Sequence, residues 1–381
     1  MKVALTKGTV RIPPTYFFVD HALHRPDIDW SIVCLAADVR DPSLAIPIRQ
    51  AVPGTFPFRL KEVAKYAALR RFRQLVIAEQ PALIHQHMLT WSIPALRAAR
   101  TLDVPMVVTI HGTDAYIAGQ QSCNPITRMN RRHARSALGG ADLLIAVSRY
   151  IADQAIAHGA PETTVEVLYQ GVDTAYFTPK LTGSDRDWAR KYGIEQEVPT
   201  FLFVGALNTQ KGVQDLIQSS RTAYRTIPHR VLIIGDGPLR EDVIGCAAHS
   251  PHITYLGARS RTEVRSAMRT ATFTVLPTRT VAGRQEAAGL VLLESQACGT
   301  PVIVNDVGGT KEMTPPNRAW LTDESCPTSL TTALIEAATL ARRSPHDYER
   351  MSHEVRHFVE TERSAAKSAD ELTRLYQRLL Q

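Results

Sequence analysis

The sequence is poor in cysteine and has no long apolar run. Its five cysteines, Cys34, Cys123, Cys246, Cys298 and Cys326, are scattered over 381 residues, and none forms a C-x-x-C pair. That odd, dispersed set argues against a disulfide framework and against a cysteine zinc site, and it suits a reducing compartment. No apolar run approaches the roughly 20 residues that a membrane-crossing helix needs. The opening "MKVALTKGTV" lacks the apolar centre of a signal peptide. Aromatics hardly interleave with the basic runs, Phe72 being the single case, which disfavours a nucleic-acid surface built on base stacking. No repeat of solenoid period and no low-complexity tract is present. The expected location is the cytoplasm, with any membrane contact peripheral, at the inner face of the cell membrane.

What is present fits a soluble globular chain of two domains. Hydrophobic residues make up 44% and charged residues 21%, and 381 residues exceed what one ordinary core accommodates. The formal charge of +7 favours anionic partners, although an excess of that size serves solubility equally well.

Short β-rich runs alternate with helical patterns. "KVAL", "SIVCLA", "ALIHQH", "PMVVTIHG" and "DLLIAVS" precede residue 150, and "TFLFVGA", "RVLIIGDG", "ITYLG", "TFTVLPT" and "PVIVND" follow it. These runs are continuously apolar rather than alternating, which marks buried parallel strands with helices on both faces. Two such series predict an α/β chain of two Rossmann-like domains facing across a cleft. The polar stretch 178–198 reads as the join, giving domains 1–180 and 181–360. The tail from Ser344 reads as amphipathic helix, with a last segment 361–381 returning to the first domain.

Ligands of open parallel sheets bind beyond the carboxyl ends of the strands. His111, Gly112, Thr113 and Asp114 leave the strand "MVVTI", where the histidine offers donor or acceptor capacity near neutral pH. Lys211 stands beside a predicted helix start near Gly212, placed to meet a phosphate against the local dipole preference. "GDGP" at 235–238 is a weak signal that a tight turn explains. Glu286 and Glu294 bracket the predicted mouth of a helix running from Gly289 to Cys298, ended by Gly299 and Pro301. The amides of Gly289 and Leu290 would form an anion site. A ligand with a central phosphate and hydroxyls at both ends, such as a nucleotide-sugar, fits that spacing.

These residues, in this order, resemble the retaining GT-B glycosyltransferases of family GT4 over most of the chain. The matching runs are "PALIHQHMLTWSIPALRAARTLDVPMVVTIHGTDAY", the "VS … GVD … F-x-P" run ending at Pro179, "VG-x-L-x(3)-KG", "GDGP" and an E-x7-E pair. The resemblance implies a GT-B fold and metal-independent transfer of a hexose with retention, the diphosphate being stabilised by positive groups and a helix dipole. It implies that Glu286 holds the donor sugar hydroxyls and that Ala288, Gly289 and Leu290 give amides to sugar and phosphate. Glu294 would bind the ribose, Lys211 the diphosphate, and His111 would sit beside the donor sugar near the reacting carbon, with catalytic Asp114 on the same loop. Gly205 and Gly257 would line the donor pocket. No cofactor is implied beyond a UDP- or GDP-linked sugar as donor substrate.

Two departures stand out. Ala206 replaces the usual arginine, with Arg11, Arg259 and Arg284 as candidates to compensate. The usual "EGFG" reads Glu286-Ala287-Ala288-Gly289. The basic runs 69–74 and 128–137 suggest an anionic membrane near a glycan or polyprenyl-diphosphate-linked acceptor. The overall pattern is similar to enzymes of bacterial surface polysaccharide assembly. A small soluble acceptor and a non-catalytic nucleotide-binding subunit are the alternatives.

Overall fold

A computed structural model of the chain describes residues 1–12, 15–54, 61–194 and 198–381. It divides into two compact units: Met1–Gln170 with Ala365–Gln381, and Gly171–Ser364.

The sheet of unit one contains β1 (Lys2–Ile12), β2 (Asp29–Val39), β3 (Ile48–Gln50), β4 (Leu83–His87), β5 (Met106–Ile110), β6 (Leu143–Ala146) and β7 (Val165–Val167). That of unit two contains β8 (Thr200–Val204), β9 (Arg230–Ile234), β10 (Ile253–Gly257), β11 (Phe273–Leu276), β12 (Val302–Asn305) and β13 (Trp320–Thr322). The orders are β3-β2-β1-β4-β5-β6-β7 and β10-β9-β8-β11-β12-β13, and every pairing is parallel. Each unit is thus a doubly wound sheet, as the continuous apolar runs predict. β4, β5 and β6 are buried along their whole length, because helices cover both faces and leave no polar side. In unit two, Phe201, Phe203, Phe273 and Ile303 of the sheet pack with Leu216 and Leu334 of the helices.

The sheet order reverses beside β1 in unit one and beside β8 in unit two. β4 pairs with β1 only from Val3 to Thr6, while β1 continues along β2 as far as Ile12. A crevice therefore opens just past Thr6. In unit two the corresponding place lies past β8 and β11.

Four elements differ from the sequence expectation. β3, β7 and β13 are three-residue edge strands, largely half-buried or exposed, and contain no apolar run to mark them. The stretch read as a join contains the helix Gly183–Lys191, closed by a capping box between Thr182 and Asp185. Its anchors are buried Trp188 and the Asp185 carboxylate, which meets Arg269 at 2.9 Å and accepts from Ser266 at 2.5 Å. Residues 195–197 of that stretch lie outside the described residues, as do 58–60 of the helix-like run 58–80.

The divisions fall at 170/171 and 364/365, where the sequence reading has 180/181 and 360/361. Hydrogen bonds explain the shift. The Val172 amide donates to the Arg363 carbonyl at 2.9 Å. The Arg356 guanidinium donates to the carbonyls of Thr174, Phe177 and Ala297. Residues 171–178 are thereby tied to unit two. The helix Ala365–Leu379 belongs to unit one, where Leu372 and Tyr376 enter the core.

Candidate active site

In unit two the site is built by glycines that let loops touch. After β8 the chain forms a 3-10 turn, Thr209–Lys211, whose Lys211 amide donates to the Asn208 side chain at 3.0 Å. Gly212 follows at φ +68°, and a Cβ there would lie 1.8 Å from the Pro277 carbonyl oxygen. Only glycine permits that approach. The Arg279 amide donates to the Gln210 carbonyl at 2.7 Å, a second tie between the turn and the loop after β11.

These ties bring two candidate residues together. Lys211 Nζ lies 2.5 Å from Glu286 Oε2, with the side chains 25% and 14% exposed. Glu286 is braced from behind. Its carbonyl accepts from the Gly309 amide at 2.9 Å, and a Cβ on Gly308 would come within 2.1 Å of the same oxygen. The ion pair lowers the cost of half-burying either charge. Lys211 keeps further N–H donors for an anion, and Glu286 keeps acceptor capacity for hydroxyls.

The helix next to this pair runs over Leu290–Ala297, with Gly289 as N-cap at φ +85° and Cys298 as C-cap. The sequence reading places it within a residue at each end. No side chain caps its start, and the first amides of a helix have no acceptor within it. Ala287 and Ala288 are buried against it. Glu294 is half-buried on the same helix. Gly205 and Gly257 play backbone parts. The Gly205 amide donates to Ile234 at 3.1 Å, and Gly257 accepts from the Gly235 amide at 3.0 Å. A Cβ on Gly235 would meet the Gly205 carbonyl at 1.8 Å. Close packing of strand ends therefore accounts for the "GDGP" glycines.

Ala206 is exposed beside Gly205. Of the candidates to compensate it, Arg259 faces Glu263 and the ring of Tyr192. Arg284 is exposed on the turn just before Glu286. Arg11 lies in unit one, beside Asp38.

In unit one the loop after β5 turns on Gly112, at φ +137°. Asp114 is fully buried, and its two oxygens accept from the amides of Leu89, His111 and Gly112 at 2.9, 3.1 and 2.9 Å. Burial raises its pKa and the three amides oppose that rise. Its carboxylate ties the loop after β5 together through these backbone amides, which gives it a positioning role. His111 is the group it positions. His111 Nε2 lies 2.9 Å from His87 Nδ1, and His111 Nδ1 lies 3.2 Å from the Gln170 amide nitrogen. In the tautomer whose Nδ1 accepts from the Gln170 amide, His111 Nε2 donates to His87 Nδ1. The rings of His87 and His111 stack, with centroids 5.2 Å apart. Burial holds both histidines well below their ordinary pKa, with neighbouring cationic groups adding to the effect. Both are neutral imidazoles at pH 7.

His87, Gln170 and Lys7 also belong to this cluster and were not singled out by the sequence reading. The position of "HQH" at a strand end was the available signal for His87. Gln170 follows an unrecognised edge strand, so nothing marked it.

The Glycosyltransferase Family 4 model matches residues 21–176, and that of Glycosyl transferases group 1 matches 184–357. An uncharacterised glycosyltransferase of Methanocaldococcus jannaschii, MJ1178, is 31% identical over 63% of this chain and 60% of its own length. A D-inositol 3-phosphate glycosyltransferase of Pseudarthrobacter chlorophenolicus is 28% identical over 73% of this chain and 65% of its own. The chain thus matches about three fifths of the length of these curated relatives. Anabaena HepE, solved with UDP and glucose, superposes with a TM-score of 0.80 at 17% identity, over 99% of this chain and all of that one. Two doubly wound units, each covered by its own domain model, identify the chain as a member of the GT4, group 1 glycosyltransferases with the GT-B fold.

Proposed function

We propose that the protein transfers a hexose from a nucleotide-sugar to a glycan or lipid-linked acceptor, with retention and without a metal ion. The observation that carries this reading is the Lys211–Glu286 pair at 2.5 Å, set beside the uncapped start of the helix Leu290–Ala297. An ammonium and free helix amides together suit a diphosphate, whose negative charge grows as the glycosidic bond breaks. Glu286, joined to the ammonium, suits the sugar hydroxyls. Glu294, one to two turns along the helix, suits the ribose. His111, neutral and hydrogen-bonded to His87, serves in this reading as a hydrogen-bonding wall near the reacting carbon.

The acceptor is read as part of bacterial surface polysaccharide. The helix Pro125–Leu138 supports peripheral membrane contact, because Arg128 and Arg132 are exposed along with Ile126, and cationic groups beside an apolar one suit an anionic interface. Among the described residues, no helix is long and apolar enough to cross a membrane.

A thermal-shift screen of UDP-, GDP- and ADP-sugars tests the donor. One nucleotide class should raise the melting temperature, because a ligand bound only by the folded state stabilises it. Glu294→Ala should abolish that rise. NMR of the first product should show the donor's anomeric configuration, and turnover should persist in EDTA. No response to any nucleotide-sugar would sink the reading. Binding without turnover would favour a non-catalytic subunit instead.

A further inference from the structure

Lys7 is the first residue of β1 past its pairing with β4, at the point where the sheet of unit one reverses its order. The residue before it closes the strands. Thr6 Oγ1 donates to Gln86 Oε1 at 2.7 Å, and the Gln86 amide donates to the carbonyls of His87, Met88 and Thr90. The residue after it, Gly8, leaves room for the Trp91 ring, which a Cβ there would meet at 2.3 Å. Between them the lysine is only 6% exposed.

Its ammonium makes no hydrogen bond or ion pair among the described residues. It lies 4.7 Å from the ring centre of Phe17 and 5.1 Å from that of Phe18. Those rings in turn touch His111 and His87, at centroid distances of 4.6 and 4.7 Å. Asp114 is the charge that favours the ammonium, yet both its oxygens already accept backbone amides. Ring faces offset part of the desolvation cost of a buried cation. They supply no acceptor for its three N–H groups, and a buried donor left unmade is costly. Burial pulls the pKa of Lys7 down to about 8, so it remains mostly charged at pH 7.

An ammonium with open donors, at a switch point, between two phenylalanines and two neutral histidines, is built for an anionic oxygen group on a ring-shaped ligand. The rings suit the apolar face of a sugar, and the imidazoles suit its hydroxyls. We propose that Lys7 binds a carboxylate or phosphate on the acceptor sugar, so that unit one selects acidic over neutral acceptors. This assignment rests on the glycosyl-transfer reading above.

The test is calorimetric titration of the full chain with glucuronate, glucose 6-phosphate, glucose and inorganic phosphate, with UDP- and GDP-glucose titrated in parallel. At least one acidic sugar should bind about tenfold or more tightly than glucose, the worth of one charge-assisted hydrogen bond. Which of the two binds better separates a carboxylate acceptor from a phosphate one. Lys7→Met should erase the preference while nucleotide-sugar binding is unchanged. A preference that survives in Lys7→Met, or glucose binding as tightly as both acids, overturns the proposal. Inorganic phosphate binding as tightly as glucose 6-phosphate, with glucuronate no better than glucose, also overturns it, because the site would then recognise a free ion. Loss of nucleotide-sugar binding in the wild-type chain would overturn the donor reading and leave the sugar titrations to decide Lys7. A readout without substitution uses reductive 13C-methylation of lysines. The preferred acidic sugar should shift the Lys7 resonance, and an unmoved resonance counts against the assignment.

Discussion

Lys211 in unit two and Asp114 in unit one are both charged residues, yet their geometry gives them opposite kinds of importance. Lys211 is partly exposed and keeps donors to spare, so its loss should be felt in chemistry more than in folding. Lys211→Ala should lower kcat/KM by about 10²–10³, corresponding to about 3–4 kcal/mol of lost charge stabilisation. The fall should lie mainly in kcat, because charge on the diphosphate grows toward the transition state. A change confined to KM would show uniform binding instead. Asp114 has both oxygens engaged by backbone amides. Asp114→Asn would turn an NH2 group toward amides that need an acceptor, at a cost of about 2–4 kcal/mol. Urea unfolding should show that loss in unit one, while nucleotide-sugar binding to unit two is retained. An unchanged unfolding midpoint would refute the positioning role.

At the scale of elements, glycines decide whether loops reach one another. Gly212→Ala would push a Cβ into the Pro277 carbonyl and strain a left-handed residue. The turn carrying Lys211 should separate from the loop carrying Glu286. The expected result is a destabilisation of about 2 kcal/mol or more, together with a fall in activity close to that of Lys211→Ala. Normal activity with lowered stability would show that the pair is not needed. The same glycines show what the sequence makes legible. Gly289 and Gly299 mark helix ends by local rules, so the helix Leu290–Ala297 could be read to within a residue. Gly212 and Gly308 act through contacts with residues about 65 and 22 positions away, and no local pattern reports such distances. Hence Lys211 and Glu286 could each be found, but their meeting could not. His111 was legible because it leaves an apolar strand. Lys7 was not, since one lysine in a strand pattern gives no sign of which way it faces. The helix Gly183–Lys191 was masked by its polar composition, although "TGSD" is a capping sequence.

For the whole molecule, the distribution of buried histidines sets the response to acid. Unit one holds His85, pushed down to about 3, and His21 and His133, pushed down to about 4, with His87 and His111 lower than their ordinary range as well. Unit two holds His252, at about 4, and His229, lowered less. Burial is the main cause in each. A histidine depressed on folding binds fewer protons folded than unfolded between its two pKa values. Its stabilising contribution is therefore complete above about 6.5 and is lost as the pH falls, by about 1.4 kcal/mol per pH unit for each such group. With more of these groups, unit one should lose stability faster than unit two as the pH falls. Calorimetry from pH 7 to pH 5 should show one transition moving down faster than the other. Two transitions that fall in parallel would contradict this.

The helix Ala365–Leu379 gives unit one its last core residues, with Tyr376 bonded to His85 across 291 positions of chain. That connection fixes an order of events during synthesis. Gly171–Ser364 has all its parts once Ser364 has emerged from the ribosome, whereas the first 170 residues must wait for the last helix to complete their interior. In this chain the unit translated first is the unit finished last, and until then its unfinished face is open to chaperones and proteases.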